Sequence, residues 1–158
     1  METTSKSKEK ELTITRIFNA PRELVWKAWT EQKHIEKWWG PKGFTNPVCE
    51  WDANTGGKID IHMKGPDGNI YPMNGTFEEI TKPEKIVFTS VALGENGKHL
   101  FDVLNTITFT KEGDKTKLTL HFIFSNIIPE AEKNIAGADM GWNMSLDKLV
   151  ELLKTIKG

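Results

Sequence analysis

A block of alternating segments between residues 44 and 126 constrains the fold of this chain more than any other feature. Runs of β-branched and aromatic residues recur in it, and turns rich in Gly, Pro, Asn and Asp separate them, which is typical of antiparallel strands. In the clearest pair, residues 101–110 and 116–124, apolar side chains alternate with threonines. Such a sheet has one apolar face and one polar face, and another element must cover the apolar face.

Further strands and two short helices complete the pattern ahead of that pair. Residues 12–18 predict a first strand, because β-branched and apolar residues alternate there. In the helices that follow, Pro21 suits the first turn, and the second helix, from about Glu31 to Trp39, ends at Gly40-Pro41. Within the block, turn residues leave predicted strands at residues 46–52, 58–64, 71–80 and 85–93.

One amphipathic helix is predicted after Pro129. Apolar or small residues recur there every three or four positions and form one stripe: Ala131, Ile135, Ala138, Trp142, Ser145, Leu146, Leu149, Leu153 and Ile156. The stripe predicts one continuous helix of about 27 residues, roughly 40 Å long, which alone could cover the sheet. Strands and helices are segregated along the chain, which indicates an α+β domain. A twisted sheet around this helix leaves a space, expected beside the two short helices, that suits a small apolar ligand.

Charge and composition exclude several classes of partner. Lys and Arg number 21 against 22 Asp and Glu, so no basic field exists to hold nucleic acid or an anionic membrane. A single cysteine, Cys49, excludes an internal disulfide and a thiolate metal cage. Residues 1–11 lack the apolar core of a secretion signal, and no run is long enough to span a membrane. We therefore expect a cytoplasmic chain with a polar tail, residues 1–11, and one domain, residues 12–158.

Several motifs resemble a known family. Residues 19–26 read Asn-Ala-Pro-Arg-Glu-Leu-Val-Trp, residues 38–41 read Trp-Trp-Gly-Pro, and residues 75–80 read Gly-Thr-Phe-Glu-Glu-Ile. Together with residues 83–89 and with Gly141-Trp142, they resemble proteins similar to the C-terminal domain of the activator of heat-shock protein 90 ATPase. That family lies within the START-like, or birch-pollen-allergen-like (SRPBCC), superfamily, and the resemblance extends over the whole predicted domain.

The resemblance implies a helix-grip fold, in which a curved antiparallel sheet of about seven strands surrounds a long C-terminal helix. START-like domains include lipid carriers, hormone receptors and cyclases, so the fold alone does not fix the activity. The expected space and the resemblance favour non-enzymatic binding of a hydrophobic or amphipathic small molecule, with no cofactor. Two alternatives stay open: a co-chaperone-like domain acting on a heat-shock ATPase, and a cyclase or hydrolase with a hydrophobic substrate.

The candidate cavity lining consists of apolar side chains on the predicted inner faces of the sheet and helices. They are Trp38, Trp39, Phe44, Met63, Met73, Phe77, Phe88, Ile107, Phe122, Ile135 and Trp142. Flexible methionines suit an adaptable pocket, but the same residues also suit an ordinary filled core. Trp38 and Trp39 are adjacent and cannot both face the same way, so one of them should border the cavity.

Two polar residues, His62 and Asp139, are candidates for the cavity or its rim. His62 alternates with apolar neighbours on a predicted strand, and Asp139 lies about 60° from the apolar stripe of the helix. At the rim of an apolar pocket either group could act as an acid or base, whereas on the surface both are ordinary solvated groups. The four histidines have no metal-binding spacing, and we predict neither a metal site nor a catalytic residue.

Met140 and Met144 lie on the otherwise polar side of the C-terminal helix, about 160° from Trp142. With Gly137 and Gly141 nearby, they form a candidate interface for a homodimer or another protein. Single exposed apolar residues are also common on monomers, so both interpretations stay open.

Overall fold

The structure, a computed structural model, describes residues 9–156, and of Glu95 the backbone alone. This part of the chain contains seven strands: β1 Lys10–Phe18, β2 Thr45–Trp51, β3 Lys58–Lys64, β4 Ile70–Thr81, β5 Lys85–Leu93, β6 His99–Glu112 and β7 Lys115–Ser125. Its α-helices are α1 Arg22–Thr30, α2 Gln32–Trp38, α3 Glu132–Ala136 and α4 Ala138–Leu153. Short 3-10 segments lie at Glu95–Gly97 and Pro129–Ala131.

All seven strands pair antiparallel in one sheet, in the order β1-β7-β6-β5-β4-β3-β2. Strands β2 to β7 form a meander of neighbours, and β1 pairs with the outer edge of β7, so that Phe18 lies opposite Thr116. The predicted α+β class and antiparallel sheet are therefore confirmed. Strand β1 begins at Lys10, two residues earlier than predicted, and residues 1–8 of the predicted tail lie outside the described residues.

Tryptophans fill one end of the space between the sheet and the helices. Trp29 of α1 is fully buried, with its ring centre 4.7 Å from that of Trp38 and 6.2 Å from that of Phe109 on β6. Trp38 Nε1 donates a hydrogen bond to Ala28 O in α1 at 3.0 Å, whereas the buried Trp29 Nε1 has no hydrogen-bond partner among the described residues. Leu146 of α4 is fully buried in the same core cluster, so the end beneath α1 is a filled core.

The prediction of one continuous C-terminal helix is wrong. The segment divides into the Pro129–Ala131 turn, the five residues of α3 and the sixteen residues of α4, which is about 24 Å long. Gly137 separates α3 from α4, and its ψ of -1° departs from that of a regular helix. The apolar spacing continues through Gly137, so periodicity could not reveal the break. None of the helices between residues 9 and 156 has the length and apolarity to cross a membrane.

An arginine on the inner face of β1 fixes the position of α4. Arg16 Nη1 lies 2.7 Å from Asp147 Oδ1, and Arg16 Nη2 donates to Asn143 Oδ1 at 2.8 Å. Two contacts from one planar guanidinium fix the orientation of both partners. The helix that covers the sheet is therefore tied to an edge strand as well as packed on the core.

Candidate functional site

A cavity of about 320 Å³ lies between the inner face of the sheet and the first half of α4. Strand β6 contributes Leu100, Phe101, Val103 and Asn105 to its wall, whereas α1 packs on Phe109 near the other end of that strand. The sequence predicts this space beside the two short helices. In the structure it lies nearer the loop after α2, because tryptophans fill the end beneath α1. The lining residues are Trp39, Gly40, Pro41, Phe44, Met63, Tyr71, Pro72, Met73, Ser90, Ala92, Leu93, Leu100, Phe101, Val103, Asn105, Phe122, Phe124, Asn134, Gly137, Ala138, Gly141, Trp142 and Ser145.

Small residues on α4 leave the room for this cavity. Ala138, Gly141 and Ser145 recur at spacings of three and four, so they lie on one face of the helix, and all three line the cavity. Trp142 projects a large side chain from the same helix and stacks on Phe122, with ring centres 5.0 Å apart. Further along α4, buried leucines replace the small residues and the space closes.

The loop after α2 forms a second wall, and Lys148 of α4 holds it in place. Lys148 Nζ donates to Gly40 O at 3.1 Å and to Pro41 O and Phe44 O at 3.4 Å each. Burial lowers the pKa of Lys148. Gly40 has a φ of +96°, and a Cβ at this position would lie 2.9 Å from Met63 Sδ. The loop therefore approaches β3 this closely only with glycine at position 40.

Asn105 and Ser90 place polar groups on the sheet wall of the cavity. Both are 4% exposed, and they lie on the neighbouring strands β6 and β5. Asn105 Nδ2 donates to Phe88 O and to Ser90 Oγ, each at 3.1 Å. On β6, Asn105 shares the inner face with Val103 and Ile107. This pair was not predicted from the sequence. The pattern that could have indicated it is a polar residue, Asn105, at a position of β6 where the alternation places apolar residues on the inner face.

The predicted lining residues divide between the cavity and the core. Those that line the cavity are Trp39, Phe44, Met63, Met73, Phe122 and Trp142, and their part in ligand binding stays a prediction. Those that lie instead in the filled core, each at most 1% exposed, are Trp38, Phe77, Phe88 and Ile107. These four do not line the cavity because aromatic rings pack directly against them, as Trp51 does against Phe77 and Phe88. Ile135 of α3 does not line it either: Ile135 packs against the core, whereas its neighbour Asn134 borders the cavity.

Neither polar candidate lies at the cavity. The alternation of β3 turns Ile61 and Met63 inward and His62 outward, where His62 Nε2 lies 3.2 Å from Asp60 Oδ1. Asp139 is exposed on α4, and its Oδ1 accepts a hydrogen bond from Asn143 Nδ2 at 2.8 Å. Neither residue is among those that line the cavity, and both are paired with polar neighbours at the surface; a role at the rim stays a prediction.

The described lining of the cavity provides apolar surface and uncharged polar groups. Its described lining includes no Asp, Glu, His, Lys or Arg side chain. Cys49 lies outside it, and burial raises the pKa of the Cys49 thiol to about 11, so the thiol is neutral. No group of three or more metal-ligating side chains occurs among residues 9–156. The cyclase or hydrolase alternative therefore lacks the carboxylate or imidazole that it would need in the cavity.

The two methionines of the candidate interface differ in exposure. Met140 is 67% exposed on α4, and Met144 is half-buried. An exposed side chain of this size suits a protein contact, but one residue does not make an extended apolar patch. A homodimer through this face of α4 stays a prediction.

Comparisons with known proteins agree with this architecture. A family model described as "Activator of Hsp90 ATPase homolog 1-like protein" matches residues 19–154. A crystal structure of a Chromobacterium violaceum protein has a TM-score of 0.78 at 25% identity, covering 92% of this chain and 98% of that one. A Nitrosomonas europaea protein has a TM-score of 0.74 at 28% identity, with coverage of 91% and 94%. Among curated proteins, none matches the chain.

Proposed function

Because the chain belongs to the family of activator of Hsp90 ATPase homolog 1-like proteins, we propose that it binds a hydrophobic or amphipathic small molecule without converting it. The ligand would occupy the cavity between the sheet and α4. The observation that carries the proposal is the uncharged, largely apolar lining of that 320 Å³ space. The fold of this family commonly binds hydrophobic ligands, which supports the same function.

Burial of apolar surface would drive binding. Removing about 400 Å² of ligand and wall surface from water contributes roughly 10 kcal/mol, at about 25 cal/mol per Å². The loss of translational and rotational freedom opposes binding by about 4 kcal/mol or more. With the smallest of these costs the difference is about 6 kcal/mol, which corresponds to a dissociation constant of tens of micromolar. Ligands that fill the cavity should therefore be detectable by ordinary titration.

The indole N–H signals of the tryptophans test this proposal in an NMR titration. We expect 2-methoxynaphthalene, an apolar probe without a hydrogen-bond donor, to shift the signals of Trp39 and Trp142, which line the cavity. Trp38 is the internal control, since it is fully buried and its Nε1 donates to Ala28 O. The absence of saturable shifts up to about 100 μM probe would contradict the proposal.

The family description also favours a second candidate, a co-chaperone-like domain that acts on a heat-shock ATPase. The exposed Met140 on α4 would supply part of the contact. This function predicts that the protein changes the turnover of such an ATPase, and that Met140→Glu weakens the change. Unaltered turnover at stoichiometric concentration would leave small-molecule binding as the better proposal.

A further inference from the structure

We propose that the ligand carries one uncharged hydroxyl group, which Asn105 and Ser90 hold at the inner end of the cavity. This inference rests on the proposed function, because it concerns the same cavity. It adds the chemical class of the ligand, an alcohol or phenol with an apolar body. Three observations support it: the polar pair lies at the inner end of the cavity, the pair has an unused acceptor and an unused donor, and the described lining carries no charged side chain.

The pair marks the border between the cavity and the filled core. Along β6, Phe101 is half-buried, Val103 is 9% exposed, Asn105 is 4% exposed and Ile107 is fully buried. Ile107 does not line the cavity, whereas the three residues before it on this face do. Asn105 therefore lies at the deepest point that a ligand can reach along this strand. On β5, Ser90 lies opposite Val103 and Phe88 lies opposite Asn105, so Ser90 borders the cavity one inward-facing position before Asn105.

Neighbouring carbonyls fix the orientation of the Asn105 amide. Its Nδ2 lies 3.1 Å from Phe88 O and 3.4 Å from Val103 O, and a carbonyl oxygen can only accept a hydrogen bond. The amide nitrogen must therefore face these two carbonyls, and the amide oxygen, Oδ1, faces away from them. Within residues 9–156, Oδ1 accepts no hydrogen bond. Because Asn105 is buried and lines the cavity, this acceptor remains for a ligand.

The donor and acceptor pattern specifies a hydroxyl. Asn105 Oδ1 can accept a hydrogen bond, and none of the described residues donates one to it. The Ser90 oxygen already accepts from Asn105 Nδ2, so the Ser90 hydrogen remains available as a donor. A ligand hydroxyl donates one hydrogen bond and accepts another, and so pairs with both residues.

The lining excludes a charged head group at this depth. None of the described lining residues carries a charged side chain, so a buried carboxylate or ammonium would lose its hydration without a counter-charge. The ammonium of Lys148 is engaged with the backbone carbonyls of the loop after α2. Fatty acids and amines are therefore poorer candidates than neutral alcohols and phenols.

Calorimetric titration with three matched probes tests the inference. We expect 2-naphthol to bind at least tenfold more tightly than 2-methoxynaphthalene, which keeps the ring but cannot donate a hydrogen bond. We expect 2-naphthoate, which is charged at neutral pH, to bind at least tenfold more weakly than 2-naphthol. Equal binding of naphthol and its methyl ether, or tighter binding of the naphthoate, would overturn the inference and leave the proposed function intact. Failure of all three probes to bind would overturn both.

Two variants test whether the polar pair causes the preference for 2-naphthol over 2-methoxynaphthalene. Asn105→Leu and Ser90→Ala should each reduce the ratio of the 2-naphthol affinity to the 2-methoxynaphthalene affinity to about threefold or less. The second variant removes only a hydroxyl, so it keeps the test valid if Asn105→Leu does not fold. Thr106→Val is the matched control, because Thr106 faces outward on β6, next to Asn105. An undiminished preference in Ser90→Ala and in any folded Asn105→Leu would overturn the assignment.

Discussion

Gly40 combines two requirements at one position of the cavity wall. Its φ of +96° is a backbone conformation that side chains rarely adopt, and the space for a Cβ is already occupied by Met63. The positive φ alone would favour glycine at position 40, and so would the close approach of Met63 alone. A substitution at this position therefore acts on the loop and on β3 together.

We expect Gly40→Ala to lower the free energy of unfolding by about 2 kcal/mol or more, from backbone strain and displacement of Met63. Urea denaturation measures this loss. Gly68→Ala is the control: Gly68 has a φ of +87°, but a Cβ added there would meet nothing within 4 Å, so only backbone strain of about 1 kcal/mol applies. Equal losses in the two variants would show that the contact with Met63 adds nothing.

His34 gives a second prediction at this scale. Neither of its ring nitrogens makes a hydrogen bond within the described residues, although Glu31 Oε1 lies 3.4 Å from Nε2. Burial lowers the pKa of His34, and the Glu31 carboxylate opposes that shift only in part. In the unfolded chain His34 has its ordinary pKa of 6.5, so His34 binds a proton more readily there than in the folded chain.

Stability should consequently be greatest above a pH of about 6.5 and fall as the pH drops below that value toward the lowered pKa of folded His34. In His34→Gln this contribution disappears, so the free energy of unfolding should depend less on pH between about 7 and 5. Chemical denaturation at a series of pH values measures the difference. Parallel pH profiles for the two proteins would contradict the assignment to His34.

Among the elements, α4 determines how much space lies over the sheet. A Cβ on Gly141 would meet Pro41 Cγ at 3.5 Å, an ordinary contact, so alanine fits there. We expect Gly141→Ala to raise the free energy of unfolding by about 0.5 to 1 kcal/mol through helix propensity and to keep probe binding. Gly141→Leu should fill the cavity and weaken binding of 2-methoxynaphthalene at least tenfold. Unchanged affinity in Gly141→Leu would place the probe elsewhere.

The elements also show how far the sequence determines the fold. Strands β3 and β5 have the bounds that the turn residues predict, Lys58–Lys64 and Lys85–Leu93, because Gly, Pro and Asn clusters mark both ends. The C-terminal helix could not be divided correctly, since the apolar period continues through Gly137. Asn105 was missed because one polar residue on an apolar face becomes informative only when its neighbours in space are known.

Over the whole molecule, stability should be uneven, because one end is a filled core and the other contains the cavity. The loop at residues 40–44 depends on Lys148, whereas Leu118 and Leu120 of β7 are buried in the core. Segments with few buried contacts open locally, while core amides exchange through larger unfolding. The loop should therefore respond to a ligand more strongly than the core does.

Amide hydrogen exchange measures this difference. We expect the loop at residues 40–44 to exchange much faster than β7, to slow when 2-methoxynaphthalene is added, and to speed up in Lys148→Met. Lys117→Met, on β7 and away from the loop, is the control and should leave loop exchange unchanged. Uniform protection along the chain, with or without the probe, would contradict a separation into two ends.

The tryptophan-filled end has a consequence for divergence among relatives. Because that end supplies close packing that does not depend on the cavity, many wall positions outside the loop at residues 40–44 can change at little cost to folding. Structures at 25% and 28% identity keep TM-scores of 0.78 and 0.74 to this chain. Substitutions at a few wall positions can thus change the shape of the cavity on a scaffold that stays the same.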